Sequence, residues 1–279
     1  MKRMVLQTAQ GKIAYWRSDV IDPAKDTLFL LHGMTADHTM FEPQLRAFSG
    51  EYNMIAWDAP AHGESRPFEG FSFRASAGFM QRILDESGIS RAILVGQSLG
   101  GYFAQAFIRE CPDRAGGFVS IGSTPFGESY YSAFDRWILR QVEWMAMLYP
   151  LGWMKRAMAR QVSLTREAYE NMLRMLAPYG KRELCRLMGL GYSAFLSENA
   201  DLDIPCPVLL LVGEKDRTGR VMAYNRAWAR NTGYALIPIK GAAHNANVDR
   251  PEETNEQIRA FLRSLPRRAP GPEGPRRSE

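Results

Sequence analysis

The stretch Gly96-Gln97-Ser98-Leu99-Gly100 constrains this chain more than any other. It follows the apolar run Ala92-Ile93-Leu94-Val95 and precedes a helix-like segment from Gly101 to Arg109. A serine between two glycines at a strand-to-helix junction is the G-x-S-x-G pattern of a nucleophile elbow. The turn is sharp enough to predict positive φ at Ser98, at a cost of roughly 1–3 kcal/mol. Side chains two residues before and after the serine would collide in such a turn, which accounts for Gly96 and Gly100. The hydroxyl is then lifted clear of the backbone at the head of a helix. There the free N–H groups and the helix dipole can stabilise a developing anion.

The rest of the chain supplies a matching frame. Met4 to Thr8 and Ile13 to Arg17 read as strands joined at Gln10-Gly11. Thr27 to Leu31 is continuously apolar, as a buried parallel strand should be. Further strands are expected at Tyr52 to Trp57, Arg91 to Val95, Phe118 to Ile121, Val208 to Val212 and Ala235 to Ile239. Helix-like patterns at Phe73 to Ser87, Val221 to Arg230 and Glu252 to Leu265 alternate with them. Such alternation predicts an α/β fold, an eight-stranded, mostly parallel sheet flanked by helices. The alternation breaks between residues 126 and 200. Arg136 to Leu148, Met154 to Gln161, Arg166 to Leu176 and Lys181 to Phe195 read as consecutive helices, and seven of the fourteen methionines fall among them. The expected organisation is a core in two parts, 1–125 and 201–265, a helical cap at 126–200, and a disordered Pro/Gly/Arg-rich tail at 266–279.

A serine hydroxyl needs a base, and the base needs an acid to orient it and support its charge. Asp216 follows the strand ending at Val212, and His244 follows the one ending at Ile239. Both are therefore expected on the sheet edge that carries Ser98. His244 is the only one of the four histidines after the last strand. Glu214 is the alternative acid. The oxyanion donors expected are the N–H of Leu99 and that of Met34, which the His32-Gly33 turn would aim at the site.

These residues resemble the α/β-hydrolase fold superfamily, of the single-cap serine esterase type. The resemblance rests on His32-Gly33, on Asp58-Ala59-Pro60-Ala61-His62-Gly63-Glu64-Ser65, on the elbow, on Gly213 to Asp216 and on Gly241 to His244, and it spans residues 27 to 265. It implies the α/β-hydrolase fold and a Ser98–His244–Asp216 triad. Two positions depart from the usual pattern: Ala61 and Ala243 stand where glycines are common. If either needs positive φ, alanine is strained there by roughly 1 kcal/mol.

The expected activity is hydrolysis of a carboxylic ester or similar acyl bond through an acyl-enzyme. A C–C bond hydrolase, an acyltransferase or a ligand receptor with vestigial hydrolysis could use the same residues. Met34, Gln97, Phe126, Trp137, Trp144 and Met145 are the candidates to contact a small, largely apolar ester, the two tryptophans sharing a helix face by their seven-residue spacing. No cofactor or metal is expected, since Cys111, Cys185 and Cys206 are too scattered for a zinc site or a disulfide framework. The net charge of +5 is modest, with no basic block interleaved with aromatics, so nucleic acid is not an expected partner. Without a long apolar run, neither a signal peptide nor a membrane span is predicted. The reading is a cytoplasmic monomer or homodimer.

Overall fold

The structure, a computed structural model, describes residues 1–266. Its single sheet contains β1 (Lys2–Thr8), β2 (Gly11–Arg17), β3 (Thr27–Leu31), β4 (Asn53–Trp57), β5 (Ala92–Gln97), β6 (Ala115–Ile121), β7 (Val208–Gly213) and β8 (Ala235–Ile239). The order is β1-β2-β4-β3-β5-β6-β7-β8. β1 pairs with β2, and β2 with β4, antiparallel; every later pairing is parallel. The expected fold class is therefore the one observed. Most strand ends fall within a residue or two of the sequence reading. β6 starts three residues earlier, because Ala115 and Gly117 extend the ladder to β5.

The central strands are buried on both faces, which is why they read as unbroken apolar runs rather than alternating ones. Phe29 and Leu31 point to one face, into a core shared with α2 (Phe73–Glu86), α3 (Leu99–Glu110) and Trp228. Leu28 and Leu30 point to the other, against Phe48, Ile258 and Leu262. Phe48 ends α1 (Glu42–Phe48), Trp228 belongs to α8 (Val221–Thr232), and Ile258 and Leu262 to α10 (Pro251–Ser264). Between β6 and β7 the chain runs through α4 (Ala133–Met147), α5 (Leu151–Val162), α6 (Arg166–Leu176) and α7 (Lys181–Glu198). Local chemistry starts these helices. Ser132 and Asp135 form a reciprocal capping box on α4, and the Thr165 hydroxyl accepts from Ala168 N–H on α6. The short α9 (Ala246–Asp249) follows the last strand's loop. Among the described residues no helix is long and apolar enough to cross a membrane. The tail expected to be disordered lies, from residue 267 on, outside the described residues.

Candidate active site

Ser98 joins β5 to α3 with φ +50°, one of three non-glycine residues with positive φ among the described residues. Its neighbours show why glycine is required. A Cβ on Gly96 would stand 2.6 Å from the Gly100 backbone, and one on Gly100 only 1.8 Å from the Leu31 carbonyl oxygen. The first contact is the collision across the turn that the sequence predicts. The second is between the elbow and the end of β3, and it is the tighter of the two.

The elbow presents Ser98 Oγ 2.9 Å from His244 Nε2, and His244 Nδ1 lies 2.7 Å from Asp216 Oδ2. A carboxylate can only accept, so Nδ1 carries the imidazole proton and Nε2 offers its lone pair to the serine hydroxyl. The Asp216 side chain is fully shielded from solvent. Burial by itself would raise its pKa. The charge and hydrogen bond of His244, with the Thr218 N–H at 2.8 Å, outweigh that and hold it below the ordinary carboxylate value. Glu214 turns away, accepting from Gly241 N–H at 3.1 Å. The two loops are tied together, since Glu214 N–H donates to Ile239 O and Lys215 N–H to Ala242 O. They also cross closely: a Cβ on Gly213 would sit 1.9 Å from Ala243 O.

The loop after β3 reaches the same point. His32 is wholly buried and accepts at Nε2 from Ala59 N–H, so its Nδ1–H donates to Gly33 O at 2.8 Å. A Cβ on Gly33 would lie 2.0 Å from Gln97 Oε1 and 3.3 Å from Ser98 Cβ. Only glycine lets this loop pass beside the serine and bring Met34 to it. Leu99 opens α3, so its N–H is one of the helix's unsatisfied first-turn donors. Of the two departures from the common pattern, Ala61 has φ +65°, and Ala243 is not among the positive-φ residues.

A cavity of about 410 Å³ opens over Ser98 and His244. Met34, Leu99 and Tyr102 form its floor. α4 supplies Phe134, Asp135, Ile138 and Leu139, and α7 supplies Gly191, Tyr192 and Phe195. Thr218, Arg220 and Tyr224 stand at the side of the acid loop. Arg220 Nη1 lies 3.4 Å from Asp135 Oδ2.

Of the six residues expected to contact substrate, five do not line this cavity. Trp137 and Trp144 do not line the cavity, and they are 53% and 54% exposed. α4 carries Asp135, Arg136, Arg140, Gln141 and Glu143 among its apolar residues, and those that line the cavity are 134, 135, 138 and 139. Trp137 stacks on Phe134, and the Trp144 indole donates to Gln141 Oε1 at 2.7 Å. Met145 lines a separate apolar groove with Val142, Trp153 and Met158. Phe126 lies one layer behind the wall, stacked on Tyr102 with centroids 5.5 Å apart. Gln97 is buried and does not line the cavity; its amide donates to His244 O and Asn245 Oδ1, which anchors the histidine loop. Met34 lines the cavity.

Asp249 escaped the sequence reading. Its Oδ2 accepts from Ala243 N–H, and its Oδ1 from Leu164 N–H, Thr165 N–H and the Thr165 hydroxyl. One buried carboxylate thus ties the histidine loop to the α5–α6 connection. No local pattern announces this, because its partners are 6 and 84–85 residues away. Asp37, His38 and Asp58 also gather, but the Asp58 oxygens already accept from His38 N–H, the His38 ring and Glu64 N–H. Burial would raise the Asp58 pKa; His38, His32 and the Glu64 N–H together pull it below the ordinary value.

The model of the alpha/beta hydrolase family matches residues 28–257. Carboxylesterase YbfK of Bacillus subtilis (strain 168) is 25% identical over 252 residues, 85% of this chain and 80% of that protein. The dihydrolipoyllysine-residue acetyltransferase component of an acetoin cleaving system from Cupriavidus necator is 31% identical over 110 residues, 39% of this chain. The chain spans only 29% of that relative's length. A thermophilic esterase from Thermogutta terrifontis has the same fold, with a TM-score of 0.77 at 22% identity over 94% of this chain and 98% of that one.

Proposed function

Because the chain belongs to the alpha/beta hydrolase family, we propose that Ser98, His244 and Asp216 form a catalytic triad that hydrolyses a carboxylic ester. The observation that carries this is the continuous run Ser98 Oγ–His244 Nε2–Asp216, at 2.9 and 2.7 Å, beneath a cavity. His244 takes the serine proton as Ser98 attacks the ester carbonyl. The Leu99 and Met34 N–H groups receive the oxyanion, each worth roughly 3 kcal/mol. His244, now an imidazolium paired with Asp216, protonates the leaving alcohol. It then removes a proton from the water that attacks the acyl-enzyme, and Ser98 is regenerated.

Residues 126–200 act in this reading as a cap over the sheet edge. The presence of α4 and α7 side chains in the cavity wall supports it. The mostly apolar wall and the volume of about 410 Å³ favour a small to medium ester with a largely apolar acyl part. A cytoplasmic location belongs to the same proposal. The test is turnover of p-nitrophenyl esters of graded length by the wild type and by Ser98→Ala. Loss of a triad member costs on the order of 10⁴–10⁶ in kcat. A purified Ser98→Ala variant retaining more than about 5% of the rate refutes the assignment.

A further inference from the structure

Tyr102 lies four residues after Ser98 on α3, on the same helix face and roughly 6 Å further along the axis. Its ring is held between Phe126 and Phe195, with centroids 5.5 and 4.7 Å away. Its hydroxyl belongs to a chain of oxygens in the cavity wall. Tyr102 Oη is 2.6 Å from Thr124 Oγ1, Thr124 Oγ1 is 2.6 Å from Tyr131 Oη, and Tyr131 Oη is 2.6 Å from Pro125 O. Tyr102, Thr124 and Tyr131 all line the cavity over Ser98.

The Tyr102 and Tyr131 hydroxyls also interact directly, and every arrangement of protons that satisfies Pro125 O uses all three inside the cluster. Three hydroxyls bring one proton each to three contacts, all as short as hydrogen bonds between oxygens. Pro125 O can only accept, so the Tyr131 proton is spent on it. The Thr124 proton then goes to Tyr131 or to Tyr102, and the Tyr102 proton goes to Thr124 or to Tyr131. Burial pushes the Tyr102 and Tyr131 pKa values up, so neither phenol loses its proton near neutrality. No donor remains free anywhere in the chain.

We infer that Tyr102 Oη is an acceptor-only subsite, one that selects substrates carrying a hydrogen-bond donor, an amide N–H or a hydroxyl, on the part bound beside α3. This rests on the proposed ester hydrolysis and refines it. Held between the Phe126 and Phe195 rings, the Tyr102 oxygen is satisfied by a donor on the substrate. A methyl group in its place leaves that oxygen unpaired and crowds it. An ether or ester oxygen placed there would face lone pairs with lone pairs. Tyr192 lines the same cavity, and its hydroxyl makes no hydrogen bond among the described residues. It can therefore donate to a carbonyl on the substrate, which an amide supplies together with its N–H.

The test uses p-nitrophenyl hexanoate and derivatives that carry an acetamido group at carbon 3, 4, 5 or 6, each beside its N-methyl twin. A second arm carries a hydroxyl at carbon 3 or 6, each beside its methoxy twin. The wild type should prefer at least one donor-bearing ester over its twin by about tenfold or more in kcat/KM. The arm in which this appears identifies the donor. Tyr102→Phe, which keeps the ring and removes the acceptor, should bring that ratio to within about twofold. Twins turned over equally by the wild type at every position overturn the inference, and so does a preference that survives Tyr102→Phe. If the variant does not fold, equal wild-type twins still overturn the inference, and Ser98→Ala protein with the preferred ester bound must show the donor on Tyr102 Oη. Turnover of plain hexanoate with equal twins removes the subsite and leaves the ester-hydrolase reading standing. No turnover of any ester, with no fluorophosphonate labelling of Ser98, removes that reading and this inference with it.

Discussion

Acidification from about pH 7 to about pH 5 should cost the fold about 2 kcal/mol through His62 alone. His62 is completely buried; its Nδ1–H donates to Pro60 O at 2.9 Å, and its Nε2 finds no partner among the described residues. Protonating that nitrogen would place a cation where nothing solvates it, beside the His32 ring 5.1 Å away. Burial first, and then His32, lower its pKa from the ordinary 6.5 to about 3. The unfolded chain therefore takes up a proton as the pH falls through 6.5, and the native state does not until near 3. The stabilisation is complete above the unfolded value and is lost on the way down, by up to about 1.4 kcal/mol per pH unit. His32, lowered mainly by burial, acts in the same direction. Carboxylates of ordinary pKa, about 4, titrate little in this window. Urea unfolding at about pH 7, 6 and 5 measures the slope. His62→Gln keeps an N–H for Pro60 but cannot titrate, so its slope should be shallower by about 1 kcal/mol per pH unit. Equal slopes in variant and wild type, or a wild type whose stability is flat over this range, refute the reasoning.

Gly100→Ala should abolish soluble folded protein or cost more than about 3 kcal/mol, read by thermal melting, because the added methyl meets the Leu31 carbonyl at 1.8 Å and two backbones cannot both yield. Asp249→Ala orphans three N–H donors and the Thr165 hydroxyl; a loss of about 3–5 kcal/mol in urea unfolding is expected, together with reduced kcat as the His244 loop loosens. Trp144→Ala should leave the chain-length profile of ester turnover unchanged and alter stability by less than about 1 kcal/mol, since that side chain is half-exposed and does not line the cavity.

The strands and the turns at their ends were legible because their chemistry is local. Continuous apolar runs bury on both faces, and a serine between glycines has few backbones open to it. The placement of Ser98, Asp216 and His244 after β5, β7 and β8 followed from those runs alone. The wall of the cavity did not. No residue of α4 is fully buried, and its periodicity shows which side is apolar but not what that side meets; the tertiary packing decides that Ile138 and Leu139 line the cavity and Trp137 does not. Gln97 stands beside the serine in the chain, but β5 sends its side chain to the loop of His244. The hydroxyl chain of Tyr102, Thr124 and Tyr131 and the four donors on Asp249 needed the tertiary structure outright. Hydrogen bonds between residues far apart in sequence leave no trace in composition or spacing, whereas a turn of the backbone and the alternation of strand and helix do.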